Sequence, residues 1–171
     1  MKYKEQIPNL FTSINLVMGI MAIIFMFSDR YLEASLLILV AVFLDRMDGN
    51  IARKLDVVSD FGKELDSLCD LISFGVAPSL LIWNIFLENS GLLGIVITLL
   101  FALAGAFRLA RYNITEFDGF YTGIPITICG GLVALISLVL INHKANINLI
   151  MLFMLFLSYA MISKRIRLKK R

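Results

Sequence analysis

The chain has 171 residues, 59% of them hydrophobic and only 17% charged, with a formal net charge of +3; its mean hydropathy is +0.85. Soluble domains carry about a quarter charged residues, so a soluble single-domain enzyme is excluded, and so small a charge gives no reason to expect a nucleic-acid partner. What remains is an all-α polytopic membrane protein, one domain over residues 1–171, built from stretches of about 20 apolar residues that each cross a hydrocarbon layer of roughly 30 Å.

Lys2 and Lys4 precede the first apolar run, 10–27. It carries Asn15 and lacks a small-residue cleavage site, so it reads as a spanning helix and not as a signal peptide. After the polar break 28–30 come a second span, 31–55, a short connection, 56–60, and a third span, 61–87, in which Pro78 predicts a kink. Residues 88–91 turn the chain into a fourth span that ends near Tyr112, and a polar loop, 113–123, leads to the fifth, 124–141, where Gly130 and Gly131 predict close packing. A sixth, 149–162, precedes a basic tail, about 163–171, that suits lipid headgroups.

Six spans put both termini on one side, together with every Lys and Arg except Arg30 and Lys144. Basic residues stay in the cytoplasm, so both termini are expected there, in a multi-pass protein of the cell membrane. The second span then runs inward and the third outward, and the short connection makes them antiparallel neighbours. Both ends of that connection carry acids: Asp45 and Asp48 three apart, Asp66 and Asp70 four apart, each pair on one helical face.

Four carboxylates within spanning helices each cost at least a few kcal/mol without compensation. A divalent cation compensates them. Oxygen ligands without a His or Cys cluster select Mg²⁺ or Mn²⁺, and also admit Ca²⁺, over zinc, as one ion or as two. Two such ions would clamp phosphate oxygens during a displacement. Gly49, Ala52 and Gly62 lie one turn from these acids and leave a groove for a nucleobase and its pyrophosphate, with Arg53 placed for a phosphate; ordinary helix packing is the other account of such small residues.

Together these residues spell D-x2-D-G-x2-A-R-x8-G-x3-D-x3-D, from Asp45 to Asp70. The pattern resembles the signature of the CDP-alcohol phosphotransferase family, whose six-helix architecture covers the whole chain. The resemblance implies transfer of a phosphatidyl-type group from a CDP-linked lipid to an alcohol, with release of CMP. It makes Asp45, Asp48 and Asp66 metal ligands, Asp70 both ligand and general base, and Gly49, Ala52 and Arg53 contacts of the CDP moiety. It also favours a homodimer.

The acceptor alcohol is read from Arg108 and Arg111, three apart at the end of the fourth span, with Asn113 beyond them. Two guanidinium groups can capture the carboxylate of an amino acid or the phosphate of a sugar phosphate; a positive-inside helix end is the other account. The stretch 105–113, the stretch 65–75, and Pro8 to Thr12 with Asn15 are similar to the phosphatidylserine synthase subgroup, with Cys69 in place of that subgroup's usual alanine. That resemblance implies CDP-diacylglycerol, or a CDP-linked ether lipid, and L-serine as substrates. Thr12 and Asn15, on the first span near the same face of the membrane, are placed to touch the nucleotide of the CDP group or metal-bound water, and Gly62 lines the CDP groove. Glycerol 3-phosphate or an inositol phosphate as acceptor, and a divalent-cation transporter as a different class, are the rival expectations.

Overall fold

In apolar surroundings every main-chain N–H and C=O must bond within its own segment, and the long apolar runs of this chain accordingly fold as helices. A computed structural model describes the backbone of residues 2–55, 59–115, 120–143 and 145–169, and the side chains of 8–47, 59–115, 122–143 and 145–166. Among the described residues the helices form six rods. The first two are α1 (Lys2–Met26) and α2 (Tyr31–Leu55). The third is composite: α3 (Asp60–Asp70), a wide turn Leu71–Val76, α4 (Ala77–Ile82), a second wide turn Trp83–Leu87 and a tight turn Glu88–Ser90. Then follow α5 (Gly91–Ile114), α6 (Ile126–Leu140) and α7 (Ile147–Ile162).

The all-helical class expected from the sequence holds, with one small correction. Strand β1 (Phe120–Thr122) pairs antiparallel with β2 (Arg167–Lys169), Tyr121 opposite Leu168. Pairing there ties the loop before α6 to the segment after α7, where the sequence had predicted only a loop and a tail. The stretches Pro8–Met26 and Asp60–Ile114 are long and apolar enough to cross a membrane, while Ile126–Leu140 and Ile147–Ile162 are shorter apolar helices. Leu92, Leu99, Leu103 and Phe107 on α5 and Leu149, Leu152 and Phe156 on α7 are exposed, an outward apolar face suited to lipid.

The composite rod is central. It packs against α1, α2, α5 and α6, while α7 lies on α5. Phe74, Leu81, Ile82, Ile38, Phe101, Val133 and Met154 make the core between them. Gly91, at φ 57°, turns the chain from this rod into α5, a conformation that glycine adopts without steric cost.

The irregularity expected at Pro78 takes the form of the wide turn just before it. Proline has no N–H to offer the carbonyl four residues earlier, which is that of Phe74. The ladder widens instead, and the Ala77 N–H bonds to the Ile72 carbonyl, five residues back. Gly130 of α6 fits over the place so opened: a Cβ there would stand 2.5 Å from the Phe74 carbonyl oxygen and 2.8 Å from its Cα. Gly19 of α1 does the same on the other side, where a Cβ would run into Ser73. The close packing predicted at Gly130 is therefore backbone against backbone. Gly130→Ala is expected to destabilise the protein by about 1–3 kcal/mol, the usual cost of overpacking, and thermal unfolding in detergent micelles would register it as a lowered midpoint.

Buried hydroxyls in the helices mostly bond to the carbonyl one turn earlier, as Ser35 does to Tyr31, Thr98 to Gly94, Ser137 to Val133 and Ser158 to Met154. Ser73 departs from this habit. Its hydroxyl crosses to α1 and donates to the Asn15 carbonyl at 3.0 Å, next to the acidic cluster.

Candidate metal centre and active site

The site lies between the second half of α2 and the last turns of α3. Ser59, extended at φ −120° and ψ 150°, caps α3 by accepting from the Gly62 N–H at 3.0 Å, and Asp60 in the first turn suits the positive end of the helix. That start sets the phase that turns Asp66 and Asp70 to one face. Asp45 arrives from α2. One carboxylate oxygen from each of Asp45, Asp66 and Asp70 lies within 4.8 Å of the others. The fourth acid, Asp48, and the side chains of Gly49, Ala52 and Arg53 lie outside the described residues.

Neutral donors flank the cluster. Asp70 is buried, and the Asn15 amide Nδ2 donates to its Oδ1 at 3.3 Å. Thr12, one turn earlier on α1 and also buried, donates to the Pro8 carbonyl at 3.1 Å. Asp45 lies within hydrogen-bonding reach of Asp70 and of the Thr127 hydroxyl of α6. Arg108 is within electrostatic reach of Asp70. Three carboxylates converge and the donor set is hard oxygen throughout, so these residues fit a divalent cation.

Gly62 brings helices together as well as leaving space, since a Cβ there would meet Asn9 Oδ1 and Ser59 Oγ, both at 3.1 Å. Arg108 is 8% exposed, and its Nε has no hydrogen-bond partner among the described residues. Arg111 faces elsewhere. Its Nη1 donates to the Ile162 carbonyl at 2.7 Å, and its Nη2 to Thr122 and Met161 carbonyls at 3.3 and 3.4 Å. Asn113 joins α3: its Nδ2 donates to Ser67 Oγ at 3.0 Å, and its main-chain carbonyl accepts from Lys63 Nζ at 3.0 Å. The Lys63 ammonium also stands 5.6 Å from the centroid of the Tyr112 ring.

The structure thus brings Asp45, Asp66, Asp70, Asn15 and Arg108 to one centre, and sets Asn113 at its rim with Arg111 braced behind. Sequence reasoning missed Lys63, Ser67 and Thr127. The signal for Thr127 was present: it is the polar side chain in the first turn of the fifth span, which enters at the same end of the bundle as the aspartates.

Comparison with known proteins gives the family. The chain matches the CDP-alcohol phosphatidyltransferase family over residues 5–166, and it belongs to that family. Its relatives include a CDP-diacylglycerol–serine O-phosphatidyltransferase of Helicobacter pylori, 37% identical over 91% of this chain and 69% of that protein. A Bacillus subtilis protein of the same name is 37% identical over 92% of this chain and 87% of its own length. An archaetidylserine synthase of Methanothermobacter thermautotrophicus is 36% identical over 71% of this chain and 53% of that protein.

Proposed function

We propose that the chain transfers a phosphatidyl-type group from a CDP-linked lipid, CDP-diacylglycerol or its ether analogue, to L-serine, releasing CMP. The observation that carries this is the convergence of Asp45, Asp66 and Asp70 beside a buried arginine, in a chain whose relatives bear serine-transferase names. Asp45, Asp48, Asp66 and Asp70 would hold one or two divalent cations, Mg²⁺ or Mn²⁺ before Ca²⁺. Such a cation supplies neutralisation of the charge that gathers on phosphoryl oxygens during displacement.

The chain's own groups do the rest. Gly49, Ala52, Arg53 and Gly62, with Thr12 and Asn15 of α1, receive the CDP group. Arg108 binds the serine carboxylate, Asn113 borders the acceptor, and Arg111 holds the end of α5 in place. Asp70, fixed by the Asn15 amide, takes the proton of the serine hydroxyl as its oxygen forms the bond to the lipid-linked phosphorus and the bond to CMP breaks. Direct transfer needs no covalent enzyme intermediate.

Six membrane spans, cytoplasmic termini and a homodimer complete the proposal. The distribution of Lys and Arg supports the orientation, and it puts the carboxylates where a membrane-bound CDP-lipid meets soluble serine. Purified protein given CDP-diacylglycerol and L-serine is expected to release CMP and form phosphatidylserine, and to stop when a chelator removes the metal. CMP release with glycerol 3-phosphate or an inositol phosphate but not serine would reassign the acceptor. Cation flux in liposomes without CMP release would replace the enzyme by a transporter.

A further inference from the structure

Asp45 reaches the centre from α2, and besides the aspartates of α3 it meets there a side chain of α6. The two helices pack together, closely at Gly131, where a Cβ would stand 3.2 Å from Val42 Cγ2. Val42 is three residues before Asp45, and Gly131 is four after Thr127. In an antiparallel pair, one further turn toward the site therefore sets Thr127 opposite Asp45. At that level the Thr127 hydroxyl and the Asp45 carboxylate are within hydrogen-bonding reach of each other.

Two features direct the Thr127 hydroxyl there. Most buried helical hydroxyls bond to a carbonyl of their own helix one turn earlier; Thr127 stands in the first turn of α6, just after Pro125, and has no such turn behind it. The approach to α6 is also fastened. Arg111 donates to the Thr122 carbonyl, the Gly123 N–H to Ile166 and the Ile124 N–H to Ala160.

We propose that Thr127 is a positioning residue of the carboxylate centre: its hydroxyl donates to one oxygen of Asp45 and holds the other toward Asp66 and Asp70. Partners that orient a ligating carboxylate in this way typically change metal affinity 10–100-fold when removed. The inference rests on the proposed role of Asp45 as a metal ligand. It links α6, which supplies none of the aspartates, to the grip on the cation.

The test is a Mn²⁺ titration of the purified full-length protein in detergent, with free Mn²⁺ read by electron paramagnetic resonance, for wild type, Thr127→Val, Thr127→Ala and Thr127→Ser. Valine keeps the branched shape without the hydroxyl, and serine keeps the hydroxyl without the branch. Thr127→Val and Thr127→Ala are expected to weaken Mn²⁺ binding about 10–100-fold, while Thr127→Ser stays near wild type. The Mn²⁺ concentration for half-maximal turnover should rise in step, with kcat at saturating Mn²⁺ little changed. Wild-type affinity in a folded Val or Ala variant, or a Ser variant no better than Ala, overturns the proposal even if the variants melt at lower temperature. If Thr127→Val does not fold, the Ala and Ser pair decides. Failure of the wild type itself to bind Mn²⁺ would overturn the metal centre and this inference together, whereas equal binding by all four overturns the inference alone.

Discussion

Replacing Asp70 by asparagine is expected to lower kcat by about a thousandfold or more, the upper part of the range for removing a general base, while CDP-lipid binding is largely spared. The substitution keeps the shape of the side chain and removes its ability to take a proton. Its environment explains why the effect falls on turnover. Asp70 is buried, held by the Asn15 amide, and within electrostatic reach of Arg108. An amino acid with its carboxylate on Arg108 carries its hydroxyl only two carbons away, and so presents it near Asp70. A single-turnover assay, with lipid binding measured separately, checks both halves. Retained activity would remove Asp70 as the base.

Arg108→Gln is expected to raise the KM for serine about 10–100-fold. The estimate is the roughly 1.5–3 kcal/mol of a hydrogen bond to a charged group, converted at 1.4 kcal/mol per factor of ten. The Nε of Arg108 has no hydrogen-bond partner among the described residues, and a buried donor of that kind is costly unless a ligand meets it. Arg108→Lys keeps the charge but loses the planar fork, so it should recover only part of the loss. Steady-state kinetics with each substrate varied in turn check this. An unchanged KM for serine in both variants would move the acceptor site elsewhere.

The helical rods were legible because their signal is long and repeated: apolar stretches between short polar breaks reproduce the second rod at Tyr31–Leu55 and the sixth to within two residues at its start. The pairing of Asp66 with Asp70 was equally legible, because helical spacing is a local property. Contacts set by tertiary packing were not. Nothing in the sequence pattern distinguishes Arg108 from Arg111, yet one guanidinium lies within electrostatic reach of Asp70 and the other is taken up by main-chain carbonyls. Thr127 and Asp45 are far apart in sequence, and their meeting depends on how closely α6 lies on α2. The wide turn at Leu71–Val76 is visible only once the Phe74 carbonyl, the missing Pro78 N–H and Gly130 are considered together.

The Arg111 clamp has a consequence of its own. Its acceptors are the carbonyls of Thr122, Met161 and Ile162, groups that every residue type supplies. The side chains at those positions therefore carry no information about the clamp, and many substitutions there would leave its acceptors in place. A single residue added to or removed from α7 is different: it would slide both α7 carbonyls away from the guanidinium at once. What the last helix contributes to this end of the molecule is thus recorded in its length more than in the identity of those residues.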